Sequence, residues 1–256
     1  MARGLAIDLE GRTAVVTGGS RGIGRETVLL LARAGCRVAF FYRSDRHAAG
    51  DCAAAARDAG AEVLAIRADV SREREVARAV ARVRRAFGPV EILVNNAGIW
   101  PGGAIEKLSV EEWDEAFAVN VRGTFLPIKH TLSGMKSRGR GRIVNVSSTA
   151  GQRGEAFHSH YAATKGAIIS LTKSLAAELS GTGITVNAVA PGWVDTDMAA
   201  EHLQGPRGAA ILRDIPLGRV ATARELGRAV AWLALDAPES MTGCIIDANG
   251  ASYLRT

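Results

Sequence analysis

Arg12-Thr13-Ala14-Val15-Val16-Thr17-Gly18-Gly19-Ser20-Arg21-Gly22-Ile23-Gly24 is the stretch that decides how this chain folds. Its first half is a short apolar run closed by two glycines, which reads as a buried strand. From Ile23 apolar residues recur at helical spacing as far as Ala34, and Gly35 supplies a stop. Strand, glycine turn and helix in that order form a phosphate cradle. Glycine lets the backbone turn sharply and approach a pyrophosphate, and the helix start offers unpaired N–H groups to an anion. The spacing is GxxxGxG rather than GxGxxG, so the reading rests on where the glycines lie, between a first strand and a first helix. Gly18, Ser20, Arg21, Gly22, Ile23 and Gly24 are therefore candidates for holding a dinucleotide.

The same alternation runs to the end of the chain. Further strands are predicted at 36–42, 62–67, 91–94, 142–146, 184–189 and 244–247, and helices at 47–59, 72–87, 161–179 and 223–235. A long helix is predicted after Ser109, where Glu112 completes a capping box. Strands alternating with helices imply parallel pairing through right-handed crossovers. The expectation is one α/β domain over 1–256, a doubly wound Rossmann sheet of about seven strands with helices on both faces. No Pro- or Ser-rich linker and no repeat divides it. Residues 196–217, with Gly205-Pro206 and Gly208, read as a substrate lid. Ligands of such sheets sit beyond the carboxyl ends of the strands, so the chemistry belongs there.

Composition narrows the function. With 256 residues, 47% hydrophobic and 23% charged, the chain is an ordinary globular protein that needs no disulfide or metal staple. No run approaches the length of a membrane span, and the first eight residues lack the apolar core of a signal peptide, so a cytoplasmic protein is expected. Cys36, Cys52 and Cys244 have no CxxC spacing, which argues against both a disulfide framework and zinc. Glu201 and His202 lack further ligands at metal spacing, so no metal site is expected. The net charge of +6 does not imply nucleic acid, because the arginines are spread over most predicted helices and the densest run, 138–142, is short. A modest pull on anionic ligands remains.

The second strand ends Phe41-Tyr42-Arg43-Ser44-Asp45. An NAD site commonly places an acid there for the ribose 2′-OH. Arg43, with Arg21 in the glycine turn, instead suits a 2′-phosphate, which favours NADP(H) over NAD(H). Asp45 argues the other way if the strand runs two residues longer. Farther on, Tyr161-Ala162-Ala163-Thr164-Lys165 puts a phenol and an ammonium on one helix face. A nearby cation is expected to lower the tyrosine pKa and make it a general acid or base. The fifth strand ends in Ser147-Ser148, a hydroxyl at the same sheet edge.

With these motifs the sequence resembles the short-chain dehydrogenase/reductase family, and within it the NADP-dependent 3-oxoacyl-[acyl-carrier-protein] reductases. The likeness spans residues 9–253 and adds Asp69-Val70, Asn95-Asn96-Ala97-Gly98, Val119-Asn120-Val121 and Pro191-Gly192. It implies that Tyr161 donates a proton, Lys165 holds the nicotinamide ribose, Ser148 binds the substrate oxygen, and Asn120 bends its helix and serves the proton relay. It implies that Asp69, Val70, Asn96, Ala97 and Gly98 flank the adenosine, and that Pro191, Gly192, Val194 and Thr196 flank the nicotinamide. Trp100, Glu155, Phe157, His158 and Trp193 are expected at the substrate, which a 3-oxoacyl thioester, a sugar or polyol, or a cyclic ketone would each suit. A non-catalytic nucleotide sensor on the same fold is the other class, though it need not keep Ser148, Asn120, Tyr161 and Lys165. The family also implies a homotetramer, with Phe117, Phe125, Ile168, Ile169 and Leu175 as candidate contacts. Two departures stand out. Asn249-Gly250-Ala251 replaces a D-G-G-like turn, leaving it more constrained, and Thr182 stands where carrier-protein reductases often have a basic residue, which weakens the case for an acyl-carrier-protein partner.

Overall fold

Apolar runs buried on both faces build the centre of the molecule. The computed structural model describes residues 11–206 and 208–254; the outer ends of the predicted domain (1–10 and 255–256) and Arg207 of the predicted lid lie outside the described residues. β1 (Thr13–Thr17) is buried along its whole length. It is followed by α1 (Gly22–Arg33), β2 (Arg37–Tyr42), α2 (Arg46–Asp58), β3 (Val63–Arg67), α3 (Glu73–Phe87) and β4 (Ile92–Asn95). Next come α4 (Val110–Ala116), α5 (Gly123–Arg138), β5 (Gly141–Val146), α6 (Ala150–Arg153), α7 (Ser159–Glu178) and β6 (Ile184–Pro191). The chain continues through β7 (Val194–Asp195), α8 (Asp197–Gln204), α9 (Gly208–Arg213), β8 (Ala221–Thr222), α10 (Ala223–Leu235) and β9 (Ile245–Ala248).

Seven of the strands form one parallel sheet in the order β3-β2-β1-β4-β5-β6-β9. Alternate residues of each strand point to opposite faces. Val16 and Phe40 join α1, α2 and α10 in one core, through Val28, Leu31, Cys52, Val230 and Leu233. Val15 and Phe41 face the other way, onto Val80, Val83, Leu126, Met135 and Leu179 of α3, α5 and α7. The expected doubly wound sheet, covered on both faces, is therefore present. The strand order reverses between β1 and β4, and a crevice opens there.

Three local features differ from the sequence reading. The predicted long helix after Ser109 keeps its capping box, but a π-helical stretch, Phe117–Arg122, separates α4 from α5. The segment read as a substrate lid, 196–217, holds α8 and α9, and β7 just before it pairs with β8. Helix α6, only four residues long, lay below the length that periodicity resolves.

Candidate active site

The crevice, of about 460 Å³, begins at the glycine turn. Gly18 and Gly22 have φ of +65° and +55°, a region side chains disfavour. A Cβ on Gly24 would lie 2.1 Å from the Gly18 carbonyl oxygen, so this residue serves the turn's packing and does not line the crevice. No side chain caps the start of α1. Its first N–H groups thus suit an anion, and the cradle fits a dinucleotide pyrophosphate. Asn96 Nδ2 donates to the Thr17 and Gly18 carbonyls at 3.1 and 3.0 Å, while Thr17 Oγ1 accepts from the Asn96 and Ala97 N–H groups. These bonds clamp the ends of β1 and β4, and Asn96, Ala97 and Gly98 line the crevice beside them.

Beside the glycine turn, β2 stops at Tyr42 and does not extend to Asp45. Asp45 caps α2 instead, its Oδ1 accepting from the Ala48 N–H at 2.9 Å. The Arg43 guanidinium lies 3.9 Å from Asp69 and 3.7 Å from Glu115, with its side chain 60% exposed. Burial raises the Asp69 pKa, but two hydrogen bonds from Ser71 and the cations Arg43 and Arg72 outweigh it and hold the carboxyl below its usual range. Ser20, Arg21, Ile23, Val70, Pro191, Gly192, Val194 and Thr196 line the same crevice.

Ser148, at the end of β5, faces Tyr161 and Lys165 on α7. Lys165 is buried and its Nζ donates to the Val146 carbonyl at 2.9 Å, 5.7 Å from the Tyr161 ring centroid. Burial pushes the Tyr161 phenol up to about 12, with the Ser148 hydrogen bond lowering it and the Glu155 charge adding to the rise. Burial pushes the Lys165 ammonium down to about 8. The shift runs upward where the sequence predicts a lowered value, because taking a phenolate out of water outweighs the Ser148 hydrogen bond. Ser147 ties β5 to α7 by donating to the Lys165 carbonyl at 2.8 Å.

Asn120 lies behind the crevice wall rather than on it. Its Oδ1 accepts from the Ile99 N–H at 2.9 Å, and its Nδ2 donates to the Ile99 carbonyl and Thr164 Oγ1 at 3.0 Å each. The π-helical stretch turns this side chain inward, where it joins the loop after β4 to α7.

Of the expected substrate residues, Trp100, Glu155 and Trp193 line the crevice. His158 backs Trp100, with ring centroids 4.5 Å apart. Phe157 is a correction: it is 62% exposed and points away, because its φ of +63° turns the side chain outward. His202, weighed in the sequence only as a metal ligand and as part of the substrate-facing segment 197–213, has its ring on α8 4.6 Å from that of Trp100. The one further signal was its helical spacing from Met198, a crevice residue. Among the described residues no cluster suits a metal ion.

A family model described as enoyl-(acyl carrier protein) reductase matches residues 18–250. Acetoacetyl-CoA reductase of Rhizobium meliloti is 40% identical over 242 residues, covering 94% of this chain and 98% of that protein. The 3-oxoacyl-[acyl-carrier-protein] reductase FabG of Staphylococcus epidermidis is 37% identical over 243 residues, covering 95% and 99%. A mutant Serratia marcescens short-chain dehydrogenase/reductase has the same fold, with a TM-score of 0.90 and 36% identity over 96% of this chain and 99% of that one. So does a mutant actinorhodin polyketide ketoreductase with NADPH, with a TM-score of 0.89 and 36% identity over 94% and 97%.

Proposed function

The chain belongs to the short-chain dehydrogenase/reductase family, and from that premise we propose that it reduces the ketone of a 3-oxoacyl thioester with NADPH. The observation that carries this is the convergence of Ser148, Tyr161 and Lys165 on the crevice that starts at the glycine cradle.

When bound, the dihydronicotinamide supplies a hydride to the carbonyl carbon. Tyr161 gives its phenolic proton to the carbonyl oxygen, yielding a secondary alcohol. The phenol carries its proton at neutral pH, and the Ser148 hydrogen bond, which pulls its pKa down against burial, eases the transfer. Ser148 Oγ donates to the same oxygen as charge develops there. Lys165, anchored on the Val146 carbonyl, holds the nicotinamide ribose beside the phenol. Asn120 fixes the loop after β4 against α7 and so sets where these groups stand. Arg43 and Arg21 recognise the 2′-phosphate at the far end.

The acyl carrier is coenzyme A or an acyl-carrier protein, with Thr182 favouring the former. The working form is a homotetramer. Three unpaired thiols, Cys36, Cys52 and Cys244, fit a reducing cytoplasm. No helix among the described residues is long and apolar enough to cross a membrane.

The test follows NADPH absorbance with acetoacetyl-CoA. Tyr161→Phe should lower kcat by about 10²–10⁴-fold while NADPH still quenches tryptophan fluorescence. An unimpaired Tyr161→Phe enzyme removes Tyr161 as proton donor.

A further inference from the structure

Four segments remote in sequence meet on the Trp100 indole. The loop after β4 supplies the indole itself, the turn between α6 and α7 supplies Glu155 and His158, the stretch after β6 supplies Trp193, and α8 supplies His202. Trp100 Nε1 donates to Glu155 Oε2 at 3.2 Å. The His158 ring lies flat on the indole, with 14° between the planes. His158 Nδ1 is 2.9 Å from the Pro101 carbonyl oxygen, and because a carbonyl only accepts, Nδ1 carries the hydrogen.

The backbone around this stack is built to hold it. The Gly103 N–H donates to the Phe157 carbonyl at 2.7 Å. A Cβ on Gly102 would meet His158 Cε1 at 2.6 Å, so only glycine lets the loop lie so close. Phe157 accepts a φ of +63°, strain that persists only where its surroundings enforce it. Trp193 and His202 close the remaining sides at 5.4 and 4.6 Å. The indole is therefore immobilised, and it stands 6.4 Å from the Tyr161 ring.

We propose that Trp100 is the specificity-determining residue of this crevice, a fixed wall that admits ketones with a short acyl group and turns away those with a long one. The inference rests on the thioester reading above and names the size class of its substrate. A ketone bonded to Ser148 and Tyr161 carries a substituent on each side of its carbonyl. The substituent directed at the rings extends only if the indole moves, and moving it breaks the Glu155 bond and the His158 stack together. Glu155 and His158 are positioning residues that act through Trp100.

The experiment compares kcat/KM with NADPH for acetoacetyl-CoA against 3-oxododecanoyl-CoA, and for pentan-3-one against nonan-5-one, symmetric ketones that have no methyl group to turn toward the wall. The wild type should favour the short member of each pair by at least about tenfold. Trp100→Ala should shrink that preference about tenfold by raising activity on the long substrates, and Trp100→Phe should fall between. Glu155→Ala should move the ratio the same way by a smaller factor, through a lower KM for the long substrate, an effect that general loosening of the fold does not produce. If Trp100→Ala does not fold by circular dichroism, Trp100→Phe and Glu155→Ala decide. A wild type indifferent to length, or a Trp100→Ala that slows all substrates equally, overturns the proposal. If neither thioester reacts but the simple ketones keep the size order and its loss in Trp100→Ala, the wall stands and the thioester reading falls. If none of the four reacts, both fall.

Discussion

Ala251 sits at φ +66°, just after Gly250, where a D-G-G-like turn would have its second glycine. A side chain in the left-handed region costs about 1–2 kcal/mol, part of which glycine returns through the freer unfolded chain. Ala251→Gly should therefore raise stability by about 0.5–1 kcal/mol, seen as a Tm about 1–2 °C higher in a thermal melt. A lower Tm would show that the turn is not strained by Ala251. Lys165 makes a second prediction at this scale. Burial holds its folded pKa at about 8, below the ordinary 10.5, so from pH 8 to 10.5 the unfolded chain binds more protons and stability rises with pH. Compared with Lys165→Met in urea denaturation, the wild type should gain on the order of 3 kcal/mol from pH 7.5 to 10.5. Tyr161 acts in the opposite sense at higher pH, because a phenol raised to about 12 loses stability for the fold between 10 and 12. A flat pH difference between wild type and Lys165→Met would mean that Lys165 is solvated. Tyr161 and Lys165 were visible as a pair four residues apart, a weak signal that the family resemblance singled out, whereas the direction of the tyrosine shift was not visible, since burial leaves no mark in a pentapeptide.

At the scale of elements, the junction of β2 and α2 bears on the proposed choice of NADPH. Because β2 ends at Tyr42, Asp45 falls at the N-cap of α2, with its carboxylate committed to the Ala48 N–H. Asp45→Ala should cost about 1 kcal/mol of stability and leave the NADPH to NADH affinity ratio unchanged. Arg43→Ala should weaken NADPH about tenfold or more, the worth of a charge-assisted hydrogen bond, and NADH far less, as read by fluorescence titration. Equal losses for the two cofactors would return the choice to Asp45 and NAD. The predicted strand 36–42 already stops at Tyr42, as β2 does, and pairing with β3, which ends at Tyr42 and Arg67, rules out the extension toward Asp45 that the sequence leaves open. The π-helical stretch around Asn120 was hidden from periodicity, since its residues continue a helical pattern, and a bend there was expected only through the family resemblance.

Across the whole molecule, the faces left apolar bear on assembly. Of the residues expected at subunit contacts, Ile168 is buried in the monomer and Leu175 packs against its core, whereas Phe125 remains 46% exposed. Val110 and Trp113 on α4 are exposed as well. Phe125→Glu should therefore split the proposed homotetramer into smaller species in sedimentation velocity, while the far-ultraviolet circular dichroism is kept. An unchanged tetramer would place the contact elsewhere.

The sequence by itself determined the sheet and the glycine cradle, because buried strands are continuous apolar runs closed by glycines, and it pointed to Ser148, Tyr161 and Lys165 through motifs that occur in family order. Only the tertiary structure decided that Asp45 caps a helix, that Phe157 turns outward, and that Trp100 is locked by Glu155, His158 and His202. Those outcomes depend on which remote segments share a surface, and contact between residues far apart in the chain leaves no periodicity in the sequence.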